Sequence, residues 1–414
     1  MTDTQHVSPW EMQHFTDHDE VEEILRSEEF RPALHFRDSA PLLNGCVLTL
    51  GGEEHLARRR LQRPLFERRA LAHYEHEVLG RSLAVALEQA ERDRRADGLP
   101  RVDLLWLTRM VLVPITAAVV GLDGVDTEAR VVRLEDISRR LGEGASVEWS
   151  TRDHGEVMSE AMEAKDDLLA EYYADSLARR RELVAAWRAG EVAEESLPID
   201  LLTIVLKEEG DDFDEDLWLR EALFFVVASA NTTTHATPHV FNEIVEWVKA
   251  NPGNEDVTAD VEMLRHAVEE GLRLHGPVPA LLRRAMHDQD VDGRHVSESE
   301  DIACMLGPAN TDEGTYGETA EQFDPRRAET VGRRAAHGLS FGAGAHLCSG
   351  RPLAIGLPGT PEGQPQVVGV LPRLLHELFA RGAQPDPTDP PRWRTDTQAG
   401  RYEAYPLVFT NWPS

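Results

Sequence analysis

Lysine and cysteine are scarce in this chain, and each scarcity removes a class of function. Lys165, Lys207 and Lys249 are the only lysines; 43 basic residues face 74 acidic ones, for a formal net charge of −31. Binding to nucleic acid calls for concentrated Lys and Arg, so no nucleic-acid partner is expected. The acidic balance reads instead as a surface that keeps the protein in solution. Cys46, Cys304 and Cys348 are too few and too scattered for a disulfide framework, and no CxxC pair points to structural zinc. No apolar run reaches the ~18–20 residues that span a bilayer. The N-terminal stretch MTDTQHVSPWEMQHF has no basic segment followed by an apolar one, so it does not read as a secretion signal. A soluble, cytoplasmic protein without membrane contact is the expectation.

What is present is mostly helical pattern. Apolar spacing predicts helices over 19–29, 53–72, 75–95, 103–121, 155–190, 217–250 and 258–274, with 103–121 almost wholly apolar and so buried. The stop signals Ala250-Asn251-Pro252-Gly253 and His275-Gly276-Pro277 close the last two. The stretch 191–216 reads as an acidic connection. After 275 the texture changes to short strand-like pieces, and 307–345 has little periodicity, which in a compact domain points to function. No internal repeat is evident. The expected architecture is mainly α with a small β-rich part, in a single domain over 1–414.

The segment Phe341-Gly342-Ala343-Gly344-Ala345-His346-Leu347-Cys348-Ser349-Gly350-Arg351-Pro352-Leu353-Ala354 separates Cys348 from the other two cysteines. Cys46 and Cys304 sit in apolar runs and read as small buried hydrophobes. Around Cys348, glycines permit a tight backbone and the close approach of a flat cofactor. A thiolate ligand to a metal needs backbone N–H groups near the sulfur, and a helix starting just after it would add its positive end. The segment resembles the haem-binding signature of the cytochrome P450 family, F-G-x-G-x-H-x-C-x-G-x-x-L-A, at every fixed position. The resemblance implies haem b with Cys348 as the axial iron ligand, Phe341 packed near the sulfur, Gly350 close to the cofactor and His346 bonded to a haem propionate. It implies the P450 fold too, shortened at the N-terminus.

Further stretches agree with that resemblance. Glu270-Gly271-Leu272-Arg273 resembles the family's E-x-x-R, whose charged pair shares a helix face and holds a third basic group. Arg327, in Phe323-Asp324-Pro325-Arg326-Arg327, matches that third partner. Glu23…Arg26, Glu91…Arg94 and Glu262…Arg265 have the same spacing, so position alone distinguishes the motif. Glu54-His55-Leu56-Ala57-Arg58-Arg59-Arg60-Leu61 resembles E-H-x-x-x-R-R-L, which implies that His55 and Arg59 meet propionates. Arg283 matches a propionate-binding arginine, with the adjacent Arg284 as the alternative. Arg58, Arg60 and Arg63 are expected to be exposed and to suit an acidic electron donor of the ferredoxin or flavodoxin type.

The long helix departs from the family. Where A-G-x-(D/E)-T is usual, the chain has Ala228-Ser229-Ala230-Asn231-Thr232. Thr232 keeps the alcohol, while Asn231 replaces the acid, and an amide cannot take up and pass on a proton as a carboxylate does. A modified proton relay through Thr232 and Asn231 is therefore expected, with Asn231 as buried polar filler the plainer alternative. Pro238 leaves the carbonyl of Thr234 without its helical donor, which is expected to open the helix locally. The helix after Cys348 should break at Gly356-Leu357-Pro358-Gly359 and resume near 367–381. The substrate pocket is expected to draw on 35–50, Phe225, Ala228, Ser229, Val278, Leu281 and Tyr402, with 35–50 and 140–160 as candidate gating loops. The leading functional reading is a monooxygenase acting on a small organic substrate with dioxygen and an external electron donor. The alternatives are atypical P450 chemistry (peroxide-driven, coupling, dehydration or nitration) and a non-catalytic haem sensor.

Overall fold

In the computed structural model of the chain, residues 8–330 and 336–412 are described, without the side chains of His35, Phe36 and Asp211. Part of the irregular 307–345 stretch, 331–335, thus lies outside the described residues, as does the start of the expected signal-free N-terminus. Eight helices carry the account: α1 (His18–Arg26), α2 (Gly52–Gln62), α3 (Leu104–Val120), α4 (Glu128–Ala145), α5 (Glu215–Ala250), α6 (Val261–Leu274), α7 (Arg351–Ile355) and α8 (Val370–Ala380).

Local chemistry sets their ends. Asp17 accepts from the N–H groups of Asp19 and Glu20 to start α1, and Asp260 does the same for α6 through Glu262 and Met263. The helix expected over 53–72 is divided: α2 ends at Gln62, a 3₁₀ turn opened by Pro64 follows, and a second helix runs Arg68–His73. Proline suits the first turn of a helix and breaks its interior. The expected connection 191–216 contains a helix, Leu201–Glu209, capped by Asp200, whose carboxylate accepts from the Thr203 N–H. The apolar run LLTIVL supplies its buried face, so the charged composition around it was a poor guide. Helix α4 lies between the expected helices 103–121 and 155–190, and the gating segment 140–160 is largely helical. Segment 35–50 likewise includes a short helix, Ala40–Leu43.

Helix α5 keeps helical form from Glu215 to Ala250 straight through Pro238. The expected local opening is absent. Thr237 donates its hydroxyl to the Thr233 carbonyl at 2.7 Å, while the buried Thr234 hydroxyl has no hydrogen-bond partner among the described residues.

The strands are short: β1 (Gln13–Phe15), β2 (Phe30–Pro32), β3 (Arg101–Asp103), β4 (Ala280–Ala285), β5 (Gln289–Val291), β6 (Arg294–Val296), β7 (Asp301–Met305), β8 (Ala383–Pro385), β9 (Arg392–Trp393), β10 (Tyr402–Ala404) and β11 (Pro406–Phe409). The largest sheet runs β1-β7-β4-β2, with β1 parallel to β7 and the other pairs antiparallel. A second sheet has the order β3-β11-β8, and β5-β6 and β9-β10 are two-stranded.

The chain forms two compact units, one of residues 1–33, 85–108 and 232–414, the other of 34–84 and 109–231. In the first, Phe15, Val21, Ile24 and Leu25 pack with Ile302, Cys304, Leu339 and Ala343, joining the large sheet to α1 and to the segment before Cys348. Burying such side chains contributes about 1.5–3 kcal/mol each. The second has the apolar face of α3, with Leu112, Val113 and Ile115 buried, and that of α4, with Leu134, Ile137 and Leu141.

Candidate functional site

Cys348 stands in a loop whose path depends on two glycines. Gly342 and Gly344 have φ of +70° and +67°, a region that side-chain-bearing residues rarely adopt. Gly344 also lies so close to α1 that a Cβ there would fall 2.5 Å from the Leu25 carbonyl oxygen. Gly350 differs: its φ is −76°, and a Cβ would lie an ordinary 3.7 Å from the Cys348 sulfur. The Cys348 N–H donates to the Phe341 carbonyl at 2.9 Å, which closes the loop. Phe341 meets His337 edge-on with ring centroids 4.9 Å apart, and burial pushes the His337 imidazole down to about 4, so it is neutral near pH 7. Cys46 and Cys304 are buried and burial pushes both thiols up to about 12, whereas Cys348 is exposed. His346 closes a 3₁₀ turn, Gly344–His346, and is half-buried.

Beyond Cys348, α7 is only five residues long, so it offers little of the helix-end charge expected at the sulfur. Gly356 ends it, and the chain returns at Gly369, where α8 begins. A Cβ on either glycine would meet the other strand's backbone at 2.5 Å, so two bare Cα atoms let the intervening loop leave and re-enter.

A buried charged cluster braces the loop. Glu270 accepts two bonds from Arg273, both 2.8 Å, one from Arg327 at 2.8 Å and one from the Asp324 N–H. Arg273 also donates to the carbonyls of Asn310 and Ala320, and Arg327 to those of Thr319 and Gln322. All three charged side chains are at most 4% exposed. The expected trio is thus together, and its spare donors grip the irregular chain before Cys348. Asn310 continues the brace: it accepts from the Leu339 N–H at 2.7 Å and donates to Ser340, whose hydroxyl donates to Leu272 on α6. Sequence reasoning missed Asn310, since an asparagine in a Gly-rich stretch gives no distinguishing signal.

Arg283 lies on β4 on the same face as Leu281, two residues before it. Leu281 reaches the loop, since a Cβ on Gly342 would be 3.5 Å from its methyl, and with Val278 it packs on the core beneath. Arg283 is buried, donates only to the Leu282 carbonyl, and forms no ion pair among the described residues. Burial without an anion lowers its pKa. Arg284, on the opposite face, is held by both oxygens of Asp301 at 2.6 and 2.9 Å. A buried guanidinium without a carboxylate fits an anionic group such as a haem propionate. The donor set beside the exposed Cys348 therefore suits a haem.

In the other unit, His55 and Arg59 lie one turn apart on α2; His55 is buried, and burial together with Arg59 lowers its pKa. Arg58, expected at the surface, is instead turned inward. It bonds Glu221 of α5 at 2.6 Å and lies over the Trp218 ring, while Gln62 and the Val47 N–H complete the Glu221 site. Arg60 and Arg63 are exposed.

On α5, Phe225 is buried and stacks on Phe66. Ser229 accepts from Thr116 of α3 at 2.8 Å, and Ala228 and Thr232 are half-buried. Asn231 turns its amide nitrogen toward α4, at 3.1 Å from the Ser138 carbonyl. In the first unit Tyr402 stacks on Trp393 and lies beside His239, which bonds the Gly400 carbonyl.

A family model described as Cytochrome P450 matches residues 147–356, half of the chain. Cytochrome P450 109 of Bacillus spizizenii is 27% identical over 188 residues, covering 45% of this chain and 41% of that protein. A C-19 steroid 1alpha-hydroxylase of Sorangium cellulosum is 28% identical over 329 residues, covering 76% and 71%. The chain spans about two fifths of the length of the first curated relatives it matches. The structure of substrate-free CYP109E1 from Bacillus megaterium superposes with a TM-score of 0.70 at 19% identity, over 99% of this chain and 95% of that one. That likeness concerns the fold. Proteins of the matched family bind haem b.

Proposed function

Since the chain belongs to the cytochrome P450 family, we propose that it is a haem-thiolate monooxygenase acting on a small organic substrate, as one P450-like domain over 1–414. The observation that carries this reading is the exposed Cys348 on its glycine-shaped loop, with the buried Arg283, which forms no ion pair among the described residues, on the strand beside it. Haem b, when bound through Cys348, supplies dioxygen activation, and an electron-rich thiolate favours O–O cleavage.

The overall change is R–H + O₂ + 2 e⁻ + 2 H⁺ → R–OH + H₂O, or the O-dealkylation that follows from the same insertion next to an ether oxygen. When haem is bound, Arg283, His55, Arg59 and His346 would hold its propionates, and Phe341 would shield the sulfur. Glu270, Arg273 and Arg327 keep the loop in place, and the Thr232 hydroxyl passes protons on the oxygen side. Val278, Leu281, Ala228 and Tyr402 bound the substrate. The electrons come from a donor of the ferredoxin or flavodoxin type. No helix among the described residues is long and apolar enough to cross a membrane. The names of the Sorangium relative and of a testosterone complex of CYP109E1 make steroids the first substrate class to screen, alongside partly polar aromatic natural products.

The test is product formation under isotopically labelled dioxygen with a ferredoxin–reductase pair, using a ligand chosen by its spin-state shift. One labelled oxygen atom per product is expected. Turnover with hydrogen peroxide alone, and none with the reductase pair, would replace monooxygenation by peroxide-driven chemistry.

A further inference from the structure

Asn231 stands where the relay acid of the family would be, but its hydrogen-bonding capacity is largely committed elsewhere. Its amide nitrogen lies 3.1 Å from the Ser138 carbonyl, 3.3 Å from the Ser138 hydroxyl and 3.2 Å from the Val227 carbonyl. Two carbonyl oxygens can be met only by the NH₂ end, so chemistry fixes which way the amide faces. Both amide protons are thereby directed to these acceptors. The side chain lies flat against Gly142 of α4: a Cβ there would sit 2.6 Å from the amide nitrogen and 2.7 Å from its carbon. Gly142 is helical and buried, so its bareness serves this contact and not a turn. Two more polar contacts hold the same length of α5. Thr116 donates to Ser229, and Ser138 donates to the Val226 carbonyl at 3.3 Å.

We infer that Asn231 is a positioning residue: with Ser138 and Gly142 it locks the turn of α5 that carries Thr232 onto α4, and it offers the site only a carbonyl oxygen. It moves no proton. That oxygen accepts no hydrogen bond from any described residue, so its role toward the site is to orient a donor, such as a water molecule, beside Thr232. Asn231 is then neither the weakened acid of a relay nor inert filler. An aspartate there would face the Ser138 and Val227 carbonyls with acceptors alone, so restoring the usual acid destroys the lock. Gly142 becomes a determinant of oxygen chemistry although it touches no reacting atom.

The inference rests on the monooxygenase reading for its catalytic half and on the apoprotein for its structural half, and the test separates them. Melting temperatures of the apoproteins are compared at pH 8 for wild type, Asn231→Asp, Asn231→Ala, Gly142→Ala and the Asn231→Ala/Gly142→Ala double variant. Asn231→Asp and Gly142→Ala should each lower Tm by about 1–3 °C. In the double variant Gly142→Ala should cost much less than alone, because the clash partner is gone. Peroxide formed per electron pair is then measured on the haem-loaded proteins with a surrogate ferredoxin–reductase pair. Asn231→Asp and Gly142→Ala should both raise it at least twofold over wild type. Additive Tm losses would overturn the lock whether or not the wild type turns over. An Asn231→Asp variant that lowers peroxide yield, or a Gly142→Ala variant that leaves it at the wild-type level, would overturn the positioning role. Wild type that consumes no dioxygen, with the lock intact, would instead count against the monooxygenase reading.

Discussion

Arg283 carries a charge that the described protein around it leaves uncancelled, and this is where the haem reading is most exposed to test at the level of a single residue. A buried cation without an anion destabilises its own fold. Replacing it with Leu should therefore leave the apoprotein's Tm unchanged or raised. The same change should weaken haem retention about tenfold to a hundredfold, the equivalent of one charge-assisted hydrogen bond of ~1.5–3 kcal/mol. Haem transfer to an acceptor protein measures the second effect and calorimetry the first; a lower Tm with unchanged retention would mean that Arg283 is simply structural. The sequence favoured Arg283 and left the adjacent Arg284 as the alternative. Strand alternation separates them, because Arg284 falls on the face that meets Asp301. The direction of the Asn231 amide was beyond reach for a related reason. Its partners, Ser138 and Gly142, lie on α4, and a serine and a glycine within a charged stretch announce no contact.

At the scale of elements, Glu270 shows how one spacing can mean two things. Glu262 and Arg265 are also three residues apart on α6, yet Glu262 is half exposed, with 52% of its side chain accessible. Glu270→Ala would leave Arg273 and Arg327 buried without a counter-charge, at a cost of about 3–5 kcal/mol. Glu262→Ala should cost no more than about 0.5 kcal/mol. Denaturant unfolding of the two variants checks the contrast, and equal losses would mean that the Glu270 cluster is no brace. Periodicity located most helices because their buried faces repeat. Proline acts by context: Pro64 lies where the expected helix over 53–72 divides, whereas α5 stays helical through Pro238. The missed helix at Leu201–Glu209 is short and flanked by acids, so composition concealed it. The Gly356 break was legible, since Gly-Leu-Pro-Gly can do little else; that Gly369 would meet it was not.

Over the whole molecule, charge and length excluded more than they identified. A net charge of −31 argued against nucleic acid and said nothing about haem. Four separated stretches, around His55, Glu270, Arg283 and Cys348, pointed to one family because they occur in a set order, and the family match agrees. The substrate stayed illegible, because pocket walls are built from the same apolar residues as cores: Phe225 stacks on Phe66 and Ser229 is bonded to Thr116. The central claim is that Cys348 binds haem iron as a thiolate, and the absorption spectrum of the reduced, carbon-monoxide-bound protein tests it most directly. Wild type should show the long-wavelength band of a thiolate ligand, and Cys348→Ala should lose it. A wild-type spectrum typical of histidine-ligated haem, or a band that survives in Cys348→Ala, would contradict the account.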